Sequence, residues 1–377
     1  MKSIFWLSVF FIFYIYLGYY LLLLLVSKVK RDRREAAKNT GLKSVSIVIT
    51  VHNEEKLIKR RLDNCFALDY PDDMLEIIVA CDGCTDNTIA IVESVATKKP
   101  QVKLHIVPDQ RGRAYILNEV TNVVQNEIVL FTDANTSFES DYLRKVISAF
   151  NDPKIGCVGG ELRYLNRENN SITQNESLYW KVETRIRRLE SALGILTSVS
   201  GCNFAIRREL YTPISLSHEI DDIYPYRALK ARYRVVHIDD ARVYEDSPET
   251  LQHQLYARAR IIIQGLPGII SEITHPYFLK HPGYLFSVFS HRILRWLSPF
   301  FLILAFISNA TLLSQFLYQA TYTAQLLLLL SALVGYLLEK YRRKVSIINT
   351  LFAFYLGNLG FLLGMIKLAG KARMQKY

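Results

Sequence analysis

The apolar run Ile128-Val129-Leu130-Phe131 ends in Thr132-Asp133-Ala134-Asn135-Thr136. A carboxylate and an amide two residues apart present hard oxygen atoms of the kind Mg²⁺ or Mn²⁺ takes, and such a cation could hold a diphosphate. Taken alone, the same stretch also reads as a strand followed by an Asx turn. It is not alone. His52-Asn53-Glu54 closes an earlier apolar run and Asp82 closes another. Further along, the paired acids Asp221-Asp222 precede two cations on one helical stretch, Arg258 and Arg260. Paired acids are most often a solvated turn or a helix start; beside two arginines they become candidates for catalysis.

These side chains need a scaffold that brings them to one edge. Val45–Val51, Leu75–Cys81, Val102–Val107 and Ile128–Thr132 read as strands, separated by helical patterns at Glu54–Cys65, Asn87–Ala96 and Arg113–Val124. Alternation of this kind predicts an α/β domain with a mostly parallel sheet covered on both faces. Ligands in such sheets bind at the carboxyl ends of the strands, which is where His52, Glu54, Asp82 and Asp133 fall. No Gly-x-Gly-x-x-Gly follows the first strand and no Gly-x-x-x-x-Gly-Lys-Ser/Thr occurs, which argues against dinucleotide and P-loop folds. Downstream lie a long Arg-rich helix at Ser171–Leu193 with Tyr179 and Trp180, and a strand pattern at Tyr233–Ile238.

The apolar residues of this 377-residue chain are concentrated in blocks. Ile4–Val26, Leu297–Leu317 and Val345–Ile366 reach the ~20 residues a bilayer crossing requires, and Tyr322–Leu338 is marginal at ~17. The expected division is a membrane helix at 1–27, a basic linker at 28–44, a cytosolic domain at 45–270, an interfacial amphipathic segment at 271–296, and a membrane region of two or three spans at 297–377 with a basic tail. Lys28, Lys30, Arg31, Arg33 and Arg34 after the first run place that flank in the cytosol by the positive-inside rule. With three later spans, Arg342, Arg343 and Lys344 fall inside, whereas Lys367, Lys371, Arg373 and Lys376 fall outside, against the trend. The +11 net charge is accounted for by these flanks facing anionic lipid, so no nucleic-acid partner is expected. Five cysteines, an odd number in a cytosolic segment, point to reduced thiols.

In order and combination, several motifs resemble the membrane-bound family 2 glycosyltransferases of GT-A fold, relatives of the cellulose, hyaluronan, chitin and poly-N-acetylglucosamine synthases. They are Val48–Glu55, Cys81-Asp82-Gly83-Cys84-Thr85-Asp86-Asn87-Thr88, Arg111-Gly112-Arg113, Phe131–Thr136, Gly201–Arg207 and Asp221-Asp222. The resemblance spans roughly Val45 to Gly265. It implies a nucleotide-sugar donor, with His52 and Glu54 lining the nucleoside pocket, Asp82 against the base and Arg113 at the family's Gly-Lys position. It further implies Asp133 on the metal (Mg²⁺ or Mn²⁺), Asn203 and Asp221 near the acceptor, and Asp222 as the base. Arg258 and Arg260, with Gln254, take the place of the diphosphate-binding motif. The family's second metal-binding Asp is Asn135 here, and no Trp follows Arg258 or Arg260.

The chemistry implied is direct displacement with inversion, to a polysaccharide or lipid-linked acceptor at the cytosolic face of a bacterial inner membrane, with membrane lipids and an export subunit as partners. Within that chemistry, the alternative to polymer extension is transfer of a single sugar to a polyprenyl or other lipid acceptor. A non-enzymatic alternative is a membrane scaffold that binds nucleotide sugars.

Overall fold

The structure is a computed structural model describing residues 1–29, 41–165, 171–246, 251–341 and 345–370. Lys30, Arg31, Arg33, Arg34, Arg342, Arg343, Lys344, Lys371, Arg373 and Lys376, on which the topology argument leaned, lie outside the described residues.

The chain begins with helix α1 (Lys2–Phe13), which runs through a π-helical turn at Tyr14–Gly18 into α2 (Tyr19–Val29). The sheet-bearing part of the chain follows as β1 (Val45–Val51), α3 (Ile58–Phe66), β2 (Leu75–Asp82), α4 (Thr88–Ala96), β3 (Val102–Val107), α5 (Arg113–Val120) and β4 (Ile128–Asp133). Next come β5 (Thr136–Phe138), α6 (Tyr142–Ala149), β6 (Ile155–Leu165), α7 (Ser171–Leu193), β7 (Asn203–Arg207), α8 (Ile220–Lys230) and β8 (Arg234–Asp246). The last part is helical: α9 (Leu251–Ile273), α10 (Pro276–Leu279), α11 (Pro282–Ser287), a π-helical turn at Val288–Ile293, α12 (Leu294–Ala310), α13 (Phe316–Lys340) and α14 (Ser346–Ala369).

The strands form one eight-stranded sheet in the order β3-β2-β1-β4-β7-β6-β8-β5. The expected parallel half is present: β1 pairs in parallel with β2 and β4, and β2 with β3. Alternating side chains of these strands enter two apolar layers, Val48, Ile78 and Phe131 on one face, Ile47, Ile77 and Leu130 on the other. That explains the near-continuous apolar runs. The other half is mixed, with β7 antiparallel to β4 and β6, β5 antiparallel to β8, and β6 parallel to β8. Strands β5, β6 and β7 have no counterpart in the sequence reading. The strand expected at Tyr233–Ile238 continues to Asp246, because Asp239–Ala241 are accommodated as a register shift. Helix α3 starts a turn later than expected, since Glu54–Leu57 form a turn before it.

Among the described residues, four helical segments are long and apolar enough to cross a membrane: Lys2–Lys28, Pro282–Ala310, Phe316–Lys340 and Ile347–Ala369. The segment read as marginal lies within a 25-residue helix, and the expected interfacial lead-in is continuous with the helix after it. Polar side chains tie these helices together. Tyr16, Ser298 and Asn358 form a closed hydrogen-bonded triangle, with Ser298 donating to Asn358 Oδ1 at 2.6 Å and Asn358 Nδ2 to the Tyr16 hydroxyl at 2.9 Å. Glycines 360 and 364 of α14 lie against Arg258, Ala259 and Ile262 of α9, close enough that a side chain on either would collide.

Candidate active site

Asp82 is 1% exposed and accepts the backbone N–H groups of Arg111 and Gly112, each at 2.7 Å. This pins the loop that enters α5, where Gly112 adopts φ +97°, a conformation side chains disfavour. The loop delivers Arg113 to Asp133: its guanidinium donates to Asp133 Oδ1 at 2.7 Å and to the Gly201 carbonyl at 3.0 Å. The resemblance implied Asp82 against a base; in the structure its carboxylate faces the backbone of this loop. Each of its oxygens accepts one backbone N–H, and the loop held in this way leads directly into Arg113. His52 Nδ1 hydrogen-bonds the Asp82 carbonyl at 2.7 Å, and burial together with Asp133 and Asp86 pushes the Glu54 carboxyl up. His52 and Glu54 follow β1 at the neighbouring sheet edge.

Beside this edge opens a cavity of about 280 Å³. Its walls include Arg113, Asp133, Asp221, Asp222, Gln254, Arg258 and Arg260, so seven residues read from sequence meet in one space. Asn203 does not join them. It is fully buried in β7 opposite Thr132 and is not among the residues that line the cavity.

The paired acids have unlike surroundings. Asp221 is partly open, its carboxylate near the Cα of Gly201. Asp222 is 4% exposed and ion-paired to Arg292. Burial pushes its carboxyl up to about 6, Arg292 opposing the rise. Gly265 of α9 makes room for it, since a Cβ there would stand 2.5 Å from Asp222 Oδ2. Glu219 also faces the cavity, raised by burial, with Arg260 acting the other way.

Arg187 of the Arg-rich helix joins the walls, together with Glu183, Glu245, Trp296 and Phe361, which are absent from the sequence reading. Arg258 lies over the Tyr179 ring at 4.2 Å and Arg295 over the same ring at 5.7 Å. Glu183 accepts from Arg295 at 2.7 Å, from Arg187 at 3.0 Å and from His291 at 3.1 Å. Burial would raise its carboxyl, but the His291, Arg295 and Arg187 charges hold it well below the usual range. Behind it, buried Glu190 Oε1 receives Tyr19, Ser287 and His291 at 2.6, 2.9 and 3.0 Å. The first membrane helix is thereby fastened to the roof of the cavity.

The donor set suits a hard divalent cation. Asp133 offers a carboxylate, and Asn135 Oδ1 is shielded from solvent with no hydrogen-bond partner. Among the described residues no group of three or more His, Cys, Asp or Glu is arranged to hold a metal; a diphosphate would have to complete the shell. The five cysteines are free, as expected.

Residues 46–214 match the family model "Glycosyl transferase family 2". The probable glycosyltransferase YdaM of Bacillus subtilis (strain 168) is 26% identical over 263 residues, covering 66% of this chain and 61% of that protein. The beta-monoglucosyldiacylglycerol synthase of Nostoc sp. is 28% identical over 171 residues, covering 45% and 36%. The chain thus spans less than two thirds of the length of these curated relatives. Among solved structures, a mannosyltransferase from Pyrobaculum calidifontis in complex with GDP-Man and Mn²⁺ superposes with a TM-score of 0.75 at 19% identity, over 98% of this chain and 100% of that one. That likeness establishes the GT-A fold.

Proposed function

We propose that this chain, which carries a glycosyl transferase family 2 domain, is a membrane-embedded transferase moving a sugar from a nucleotide-sugar donor to a glycan or lipid-linked acceptor, with inversion. The observation that carries this reading is the single cavity that joins Asp133 and Arg113 to the Asp221-Asp222 pair and to Arg258 and Arg260. Asp133 and Asn135 would hold a divalent cation, whose charge offsets that of the departing diphosphate. Arg113, Arg258 and Arg260 would face the same developing charge as preorganised donors. A hydroxyl is a weak nucleophile at neutral pH, so a carboxylate must take its proton as the bond forms. Asp222, turned into the cavity and steered by Arg292, is the assigned acceptor of that proton, with Asp221 beside it.

One observation favours a lipid-linked acceptor. Trp296 of α12 and Phe361 of α14 form part of the cavity wall, and both helices belong to segments suited to the bilayer. An acceptor entering from the membrane meets apolar surface first and the acids next. The domain would face the cytosol of a bacterial inner membrane.

The test is nucleotide release by detergent-purified protein offered UDP-, GDP- and dTDP-sugars, with Mg²⁺, Mn²⁺ or EDTA, with and without membrane lipid extract. The expected result is release from one donor, stimulated by lipid and lost with EDTA and in Asp133→Ala. Release from no donor in any condition would move the assignment to a nucleotide-sugar-binding scaffold.

A further inference from the structure

Replacement of the second metal-binding Asp by Asn135 leaves one carboxylate, Asp133, and that one is already opposed by Arg113 at 2.7 Å. A divalent cation held by one partly neutralised carboxylate and an amide is poorly matched in charge. The sheet supplies another acid. Strand β5 runs antiparallel to β8, setting Thr136 opposite Glu245. One residue before Thr136, Asn135 donates from Nδ2 to Glu245 Oε1 at 3.0 Å. That bond turns the amide so that Oδ1 is left shielded and without a partner. Asp133 and Glu245 both line the cavity.

The register explains how β8 brings this acid there. β6 and β8 pair as Gly160 with Ile238 and then Glu161 with Arg242. The shift passes over Asp239, Asp240 and Ala241, an odd number, so it reverses the face shown by each later residue of β8. Without it, Glu245 would point to the opposite side of the sheet.

We propose that Glu245 supplies the second carboxylate of the divalent-cation site whose first is Asp133, with Asn135 bridging the two. The inference rests on the transferase reading above and adds a ligand to it. Two carboxylates match the charge of Mg²⁺ or Mn²⁺, and all three groups offer oxygen. The acid missing from the Asp-x-Asn stretch is thus restored from a strand over a hundred residues away.

The experiment measures Mn²⁺ binding to the purified full chain by electron paramagnetic resonance, with UDP or GDP present. Wild type is compared with Glu245→Gln, Glu245→Asp and the double variant Glu245→Gln/Asn135→Asp, and each thermal midpoint is recorded. A glutamine amide in place of the Glu245 carboxylate can still accept the Asn135 bond, so a purely structural role predicts little change. The expected result is Mn²⁺ affinity about tenfold or more lower in Glu245→Gln, a smaller loss in Glu245→Asp, and substantial recovery in the double variant, with midpoints close to wild type. Affinity equal to wild type in both single variants would overturn the role of Glu245 and leave the transferase reading intact. A wild-type chain that binds no Mn²⁺ with either nucleotide, and releases nucleotide from no donor, would overturn both.

Discussion

Asp221 and Asp222 are chemically identical and adjacent, yet the fold gives them different properties. Burial raises Asp222 to about 6, from the ordinary ~3.9 of an aspartate. A carboxyl whose folded value is raised binds its proton more tightly when folded. Its contribution to stability is complete below the unfolded value and is lost as pH rises through about 6. The reactive, deprotonated form grows over the same interval, so turnover should rise as pH climbs from 5 to 7 while the thermal midpoint slips. Asp222→Asn should abolish the acidic limb and lower turnover by about 10²-fold or more. Two terms compete in that variant's stability: loss of a buried acid's desolvation penalty, and abandonment of Arg292, itself largely buried. Leaving a buried charge unpaired wins, at a cost of about 3 kcal/mol, read as a lowered midpoint. Asp133 was legible in the sequence because a polar group ends an apolar run, whereas Asp221 and Asp222 stood out only as paired acids beside Arg258 and Arg260, their roles implied by the resemblance. Glu245 was not, because Asp239 and Asp240 interrupt the strand pattern and hide its continuation.

At the scale of elements, α9 supplies Gln254, Arg258 and Arg260, and its place depends on close approach to two neighbours. Gly265 admits the Asp222 carboxylate, and Gly360 and Gly364 admit the α9 backbone and Arg258. Small residues four apart allow this intimacy between apolar helices. Gly265→Ala should displace Asp222 or α9, costing about 1–3 kcal/mol, and should lower turnover more than donor binding. Gly364→Leu should separate α9 from α14 and weaken donor binding as well, through Arg258 and Arg260. Equilibrium binding of nucleoside diphosphate separates the two outcomes. Arg258 and Arg260 were read as lying on a helical stretch; the glycines that seat it were not, since their meaning lies in a partner helix far along the chain. The parallel half of the sheet was likewise legible from its apolar runs. The mixed half was hidden in short or bulged strands whose pairing is non-local.

At the scale of the whole molecule, domain and membrane helices are one object. Glu190 of α7 collects Tyr19, Ser287 and His291, joining both flanks to the cavity roof. Glu190→Leu should leave His291 without one of its two carboxylates and loosen the first helix, lowering the thermal midpoint by an amount equivalent to about 3 kcal/mol and raising proteolysis in the 1–29 region. The membrane triangle of Tyr16, Ser298 and Asn358 has a further consequence in time. Tyr16 and Asn358 stand 342 positions apart, so the opening helix meets this partner only after α14 has been made. Until then that helix can be held by Glu190 through Tyr19 and by Ser298 through Tyr16, but not by α14. Arrival of α14, whose Phe361 lines the cavity, and not folding of the sheet, sets the moment at which that wall is first complete.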